Sequence, residues 1–382
     1  MDSVYIRAYK LHKKLQGKLS IKTKVKPDKK NLSLLYTPGV GGVAKEIAKN
    51  KNLVNELTWR GNTVAIVSDG TAVLGLGNVG PYAALPVMEG KALLFKSFAD
   101  IDAIPICLEV KTPDELIDTV RRLAPSFGGI NLEDISSPAC FYIEQKLEKI
   151  LDIPVFHDDQ HGTAIVVYAG LHNALKIRGT QNKKNLKIVI NGAGAAGIAV
   201  AKFLLKTGFR NIILCDRNGI LYKDRKKGMN NIKKEIAKKT NPDNIRGNLK
   251  DALIDADVFI GLSTARILTA EMIRLMKKDP VIFALANPEP EIFPEEARKA
   301  GARIIATGRS DFPNQVNNLL AFPAIFKGAF LKRAKKITFE MKLRAALSIA
   351  KSIPENKLSE KQFIPPVTKK LINRVAHAVA EV

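Results

Sequence analysis

Two pairs of adjacent carboxylates offer the clearest chemistry. Glu133-Asp134 lies in Asn131-Leu132-Glu133-Asp134-Ile135, and Asp158-Asp159 in Phe156-His157-Asp158-Asp159-Gln160-His161-Gly162-Thr163. Neighbouring carboxylates repel unless positive charge sits beside them. A few hard oxygen ligands, with room left for water and substrate, suit Mg2+ or Mn2+. His157 and His161, four apart, could instead share a helix face around Zn2+; Gly162 and the surrounding carboxylates favour oxygen ligation. Taken alone, an acidic pair is also what a surface turn or helix cap looks like. Lys91 lies in Val87-Met88-Glu89-Gly90-Lys91-Ala92-Leu93-Leu94-Phe95. A lysine in an apolar segment is costly unless it is paired or its pKa falls. Work as a general base near neutral pH needs a fall of about 3, worth roughly 4 kcal/mol, which desolvation and a nearby metal could supply. The ordinary alternative buries the stem and leaves the ammonium in water. Tyr36, in Leu34-Leu35-Tyr36-Thr37-Pro38-Gly39-Val40, sits on a Pro-Gly loop, where packing is the ordinary role.

A second chemistry is carried by glycines. Leu186-Lys187-Ile188-Val189-Ile190 reads as a strand. It runs at once into Asn191-Gly192-Ala193-Gly194-Ala195-Ala196-Gly197 and a helix through Leu205. In that context Gly192 allows the tight turn, Gly194 lets the backbone approach a pyrophosphate, and Gly197 lets helix pack on strand. The helix N-terminus faces the phosphate charge. Asp216 ends the next strand, where a carboxylate reaches the adenosine ribose hydroxyls of NAD+. Arg217 follows it directly, with Lys223, Arg225 and Lys226 beyond, and an arginine there can pair with a 2′-phosphate. NAD+ is therefore the expected cofactor, with NADP+ used less well.

These residues need a scaffold. Residues 1–30 read as a helix and a basic linker broken at Pro27-Asp28. A first α/β region runs to about Pro154, with strands at Thr63–Val67 and Ala103–Leu108 and helices at Pro113–Arg122 and Pro138–Ile150. A long apolar helix from Gly162 to about Lys176 crosses to a second region. There, strands at Asn211–Cys215, Val258–Ile260, Val281–Leu285 and Arg303–Ile305 alternate with helices. Such alternation predicts a parallel, doubly wound sheet. The fold class is thus α/β: an N-terminal catalytic and metal domain over 1–160, a Rossmann-like dinucleotide domain over 161–330, and C-terminal helices over 331–382 that pack back across both.

The composition supports this reading. A chain of 382 residues, 46% hydrophobic, can hold two cores. No apolar run is long enough to cross a bilayer, and the lysine-rich start lacks a signal peptide's apolar block, so a cytoplasmic protein without a membrane partner is expected. Cys107, Cys140 and Cys215 are scattered in apolar settings and read as free thiols. The net charge of +24 could serve nucleic acid. The lysines, however, form only short clusters, without interleaved aromatic residues or zinc-finger spacing, so a solvated surface is expected and no nucleic-acid partner. Such a field also draws in dianionic substrates and dinucleotides. Lysine-rich, cysteine-poor usage suits heat adaptation as well.

Taken together, the motifs resemble those of the malic enzymes, in the short two-domain form of prokaryotes, from about Ser33 to about Phe330. Beyond the segments above, the resemblance rests on Ser68-Asp69-Gly70, Gly75-Leu76-Gly77-Asn78, Phe283-Ala284-Leu285-Ala286-Asn287-Pro288 and Thr307-Gly308-Arg309-Ser310-Asp311 through Asn317-Asn318. It implies metal-dependent oxidation and decarboxylation of malate to pyruvate and CO2, oxaloacetate decarboxylation, and a homodimer. It implies Tyr36 as general acid and Lys91 as general base, with Asp158 beside the lysine. Glu133, Asp134 and Asp159 are the implied metal ligands, and Asn287 and Asn318 would bind malate with Asn317 beside them. Larger members carry an arginine for the substrate carboxylate just before the Gly-Leu-Gly turn. Thr71-Ala72-Val73 has none here, which leaves Asn287, Asn318 or Lys96 for that task. A metal-free Rossmann dehydrogenase acting on an amino acid or shikimate is the competing class, and it leaves both acidic pairs without work.

Overall fold

The computed structural model describes residues 4–73, 75–180 and 182–382. Its first sheet has four strands, β1 (Thr63–Ser68), β2 (Asp102–Cys107), β3 (Gly129–Leu132) and β4 (Val155–His157), in the order β2-β1-β3-β4 and all parallel. Central β1, Thr-Val-Ala-Ile-Val-Ser, is buried throughout, as a β-branched run covered on both faces should be. Helices Gly80–Ala99, Pro113–Leu123 and Ala139–Ile150 make the crossovers. Thr112 caps the second of these by accepting the Glu115 N–H. Because every strand runs the same way, the residues that follow β1, β3 and β4 gather at one edge of the sheet. Those residues include Asp69, Glu133-Asp134 and Asp158-Asp159.

The second sheet has six strands: β5 (Ile188–Asn191), β6 (Ile212–Asp216), β7 (Gly219–Ile220), β8 (Val258–Gly261), β9 (Val281–Ala284) and β10 (Ile304–Thr307). Their order is β10-β9-β8-β5-β6-β7, parallel except for β7, which turns back as a hairpin on β6. The order reverses between β5 and β8, so the glycine loop after β5 opens at the topological switch point. A Cβ on Gly197 would lie 1.7 Å from the Gly192 carbonyl oxygen, which is why the third glycine of the loop is required.

The sequence reading starts the connecting helix at Gly162. Instead a π-helical turn, Asp158–Gly162, precedes the helix Thr163–Arg178. The wider turn folds so tightly that a Cβ on Gly162 would strike the Asp158 carboxylate at 1.8 Å. After the second sheet, helices Phe322–Leu331, Phe339–Ala350 and Lys369–Ala380 return to the first. Phe322 packs on Phe95 with tilted rings and Phe326 meets it edge-on, at 4.8 and 5.6 Å between ring centres, and Phe326 also meets Phe156 edge-on. Cys140 and Cys215 are buried, Cys107 half-buried, and all three are free thiols. No helix among the described residues is long and apolar enough to cross a membrane.

Candidate active site

The two acidic pairs meet because β3 and β4 are neighbours in register, Leu132 opposite His157. Glu133 leaves β3 and Asp134 follows in the left-handed region, at φ 53°. The Asp134 N–H donates to Asp159 Oδ2 at 2.9 Å. Glu133, Asp134 and Asp159 each present an oxygen within 4.8 Å of the others. Lys91 enters from the middle of the helix Gly80–Ala99. Its ammonium donates to Glu133 Oε1 at 2.8 Å and to Asp158, and lies 4.0 Å from the centre of the Phe322 ring. The Asn131 amide donates to the other Glu133 oxygen at 2.9 Å. Asn318 arrives from beyond β10 and donates to Asp158 Oδ2 at 3.2 Å, while the Thr163 hydroxyl donates to Asn318 Oδ1 at 3.3 Å. The dinucleotide region thus supplies one wall of the site.

Four carboxylates face one ammonium in this cluster. Burial and mutual repulsion push Asp134 up to about 9 and Asp158 and Asp159 up to about 6, and raise Glu133 too. Lys91 departs from the expectation of a lowered pKa. Burial pulls it down, but Asp158 and Glu133 outweigh burial and hold it above the ordinary lysine value. Such a donor set is short of positive charge, and three convergent carboxylate oxygens fit a divalent cation that prefers oxygen.

Other expected residues fall differently. Lys96 is no carboxylate clamp: it is half exposed and paired with Asp100 at 2.7 Å and Asp102 at 2.9 Å. Asn287 lies past β9, its amide 3.5 Å from the Leu285 carbonyl, with no hydrogen bond to the acidic cluster. Asn317 caps the short turn at Asn318, accepting the Leu319 N–H. Tyr36 is 69% exposed, and its hydroxyl makes no hydrogen bond among the described residues. Zn2+ ligation by the histidine pair does not fit. His161 is committed to Glu144, at 3.0 Å from Nε2, and both ring nitrogens of His157 are buried without a hydrogen-bond partner.

Glu144 itself escaped the sequence reading. It also accepts the His157 N–H at 2.9 Å, so one buried carboxylate ties both flanks of Asp158-Asp159. Burial works against its charge, yet His161 and the cations around it hold its pKa down at about 2. The available signal was an acidic residue on the face of helix Ala139–Ile150 that otherwise buries Cys140, Ile143 and Leu147.

At the second sheet, Gly194 precedes the helix Ala195–Lys206 and leaves its first N–H groups open to a pyrophosphate. Asp216 ends β6, and its carboxylate is held by two cations from further along the chain. Arg225 and Lys233 each donate to Asp216 Oδ2 at 2.6 Å, and the Asn218 N–H donates to the other oxygen at 2.8 Å. Burial would raise this carboxyl, but these partners hold it below the usual range.

Comparison with known proteins agrees with this geometry. Residues 16–148 match the family described as malic enzyme, N-terminal domain, and residues 160–382 match malic enzyme, NAD binding domain. A bifunctional malic/malolactic enzyme of Bacillus subtilis is 57% identical over 98% of this chain and 92% of its own. An NAD-dependent malic enzyme of Geobacillus stearothermophilus is 52% identical, over 98% and 78%. The crystal structure of an NAD-dependent malic enzyme from Thermotoga maritima superposes with a TM-score of 0.94 at 53% identity, covering 98% of each chain. With both halves matched and the acidic cluster facing the dinucleotide loop's domain, the chain belongs to the malic enzyme family.

Proposed function

We propose that this protein oxidises and decarboxylates malate to pyruvate and CO2, reducing NAD+ or, less well, NADP+, with Mg2+ or Mn2+ held by Glu133, Asp134 and Asp159. The carrying observation is Lys91 buried between Glu133 and Asp158 beside three convergent carboxylate oxygens. When bound, a divalent ion supplies the Lewis acid that polarises the C2 oxygen, and a nicotinamide supplies the hydride acceptor. The chain's own share is proton handling and orientation. Lys91 takes the proton of the C2 hydroxyl in its neutral form: the carboxylates that now hold its ammonium would be neutralised by a bound divalent ion, which would release the lysine proton first. Asp158 and Asn318 hold that lysine in place, and Tyr36 delivers a proton to C3 once CO2 has left. Asn287 and Asn318 are the proposed partners of the malate carboxylates. We divide the work among residues 1–160, 161–330 and 331–382, a division supported by the first sheet closing at His157 and the second opening at Ile188. The direct test is NADH formation from malate with Mn2+ or Mg2+, with pyruvate as product and loss of turnover in EDTA. A turnover indifferent to EDTA would overturn the reading. Oxaloacetate decarboxylation is expected under the same conditions.

Asp216 sets the expected cofactor preference, about tenfold in kcat/KM for NAD+, or about 1.4 kcal/mol. A 2′-phosphate would meet that carboxylate, but it would also meet Lys233. Asp216→Ser should narrow the gap or reverse it, and Lys233→Ala should widen it. Steady-state kinetics with both cofactors at saturating malate decide, and a wild type that clearly favours NADP+ would overturn the role of Asp216.

The active form is proposed to be a homodimer. Helix Val4–Leu15 buries none of its residues, and Tyr5 and Tyr9 are 76% and 69% exposed. Large apolar surface left open in a single chain marks a contact. Light scattering at micromolar concentration should give twice the chain mass, and Tyr5→Glu with Tyr9→Glu should lower it. A fully active monomer would refute the dimer.

A further inference from the structure

Behind the acidic cluster, against Glu144, Gln160 and His161, a cleft of about 870 Å³ opens between helix Ala139–Ile150, helix Ala195–Lys206 and the start of helix Phe339–Ala350. None of Lys91, Glu133, Asp134, Asp159, Asp216 or the loop Gly192–Gly197 lines it. Part of its wall is apolar: Phe141, Phe203 and Ile337 are buried and Phe339 is half-buried.

Lys342 lines the same cleft. It is 8% exposed, 5.8 Å from the centre of the Phe156 ring, and makes no hydrogen bond or ion pair among the described residues. Gln160 lines the same cleft and carries a buried amide nitrogen with no acceptor. The nearest buried acceptor on the wall, Glu144, already uses both oxygens, on the His157 N–H and on His161. Buried donors are normally matched, and Lys342 has only the through-space pull of Glu144 and Glu148 against its burial, with no direct acceptor. Lys342 and Gln160 therefore offer the cleft two donors with no direct acceptor, beside aromatic walls and in a space large enough for a small organic molecule. Glu148 and Glu235 line the cleft together with Lys202 and Lys206, and Glu144 and Glu148 act on the Lys342 ammonium through space without bonding it.

We propose that this cleft is a binding site for an organic carboxylate with an apolar body, separate from the malate site, whose carboxylate pairs with Lys342. Burial presses the free Lys342 ammonium below the ordinary lysine value, and an anion beside it would relieve that cost. Glu144 forms part of the wall and also holds both flanks of Asp158-Asp159, so an occupant would touch the support of the acidic cluster without touching malate.

The probe is 2-naphthoate, measured by calorimetry on the full-length protein with its cofactor and Mn2+ present, and repeated with saturating malate. One equivalent per chain should bind, undisplaced by malate. The neutral analogue 2-naphthalenemethanol should bind about tenfold more weakly, the change expected when one charged partner is removed. Lys342→Met should weaken 2-naphthoate binding by a similar factor, and Lys342→Arg should preserve most of it. Absence of binding, displacement by malate, or equal affinity for the acid and the alcohol would overturn the proposal. The acid–alcohol comparison on the wild type decides the matter even where Lys342→Met does not fold.

Discussion

Asp159→Ala is expected to leave a folded protein whose malate oxidation falls by more than about 100-fold, since even residues that only support metal ligands commonly cost 10- to 100-fold. The fold should survive because the Asp159 side chain is 33% exposed and its one hydrogen bond in the chain is from the Asp134 N–H. Removing it also takes one negative charge from a cluster of four carboxylates and one ammonium. The metal should be visible in stability as well as in turnover. A ligand at about 100 times its dissociation constant stabilises the state it binds by about 2.7 kcal/mol. That gain should appear as a rise in Tm for the wild type and be largely lost in Asp159→Ala. Its pH dependence follows from the raised carboxyl groups. A group whose pKa is higher folded than unfolded favours the fold fully below its unfolded value, and that contribution is lost as pH rises through the folded one. Here the loss runs from about 4, the ordinary aspartate value, through about 6 for Asp158 and Asp159 and on to about 9 for Asp134. A divalent cation replaces the missing protons, so Mn2+ should raise Tm more at pH 8 than at pH 5. Near-normal turnover of Asp159→Ala at saturating Mn2+, or a thermal shift indifferent to pH, would remove these residues from the metal site.

The parts of the site that are local in the chain were legible in the sequence. The strand, the glycine loop and the following helix lie within one short stretch, and each glycine has its own steric reason there. The acidic pairs were legible as pairs, whereas their convergence depends on β3 and β4 being parallel neighbours. Lys91 stood out as a charge among apolar residues. Lys96 looked similar, but five helical steps carry it to another face, where Asp100 lies one turn on and takes it. Glu144 was hidden because its partners are the end of β4 and a turn whose π-helical geometry the sequence does not announce. The cations that hold Asp216 were not legible for a related reason. Arg217 is nearest in sequence, but the β6–β7 hairpin turns the chain so that Arg225 and Lys233 reach the carboxylate.

Lys91→Ala and Tyr36→Phe are expected to fail at different steps of the same reaction. General acid–base groups contribute about 10²- to 10⁴-fold, and each substitution should cost a factor in that range. Lys91→Ala removes the proposed base and leaves Glu133 and Asp158 buried without their shared cation. Its loss should fall on hydride transfer, read as a larger rate difference between malate and malate deuterated at C2. Tyr36→Phe should leave that step and instead abolish enzyme-catalysed hydrogen exchange into the pyruvate methyl group; undiminished exchange would end its assignment as the acid. The position of Tyr36 adds a sharper test. It stands 69% exposed and makes no hydrogen bond to the acidic cluster of its own chain. A tyrosine on an open loop can serve a site across a two-fold interface, where each subunit gives what it receives. Mixing Lys91→Ala with Tyr36→Phe subunits in equal amounts, with exchange, makes half of the dimers mixed. Each mixed dimer then holds one site with both residues intact if Tyr36 acts across the interface, and none if it acts within its own chain. About a quarter of wild-type activity is the expected recovery, from the isologous symmetry of a two-fold dimer. Recovery no greater than the sum of the two variants alone would place Tyr36 and Lys91 of the same chain in one site.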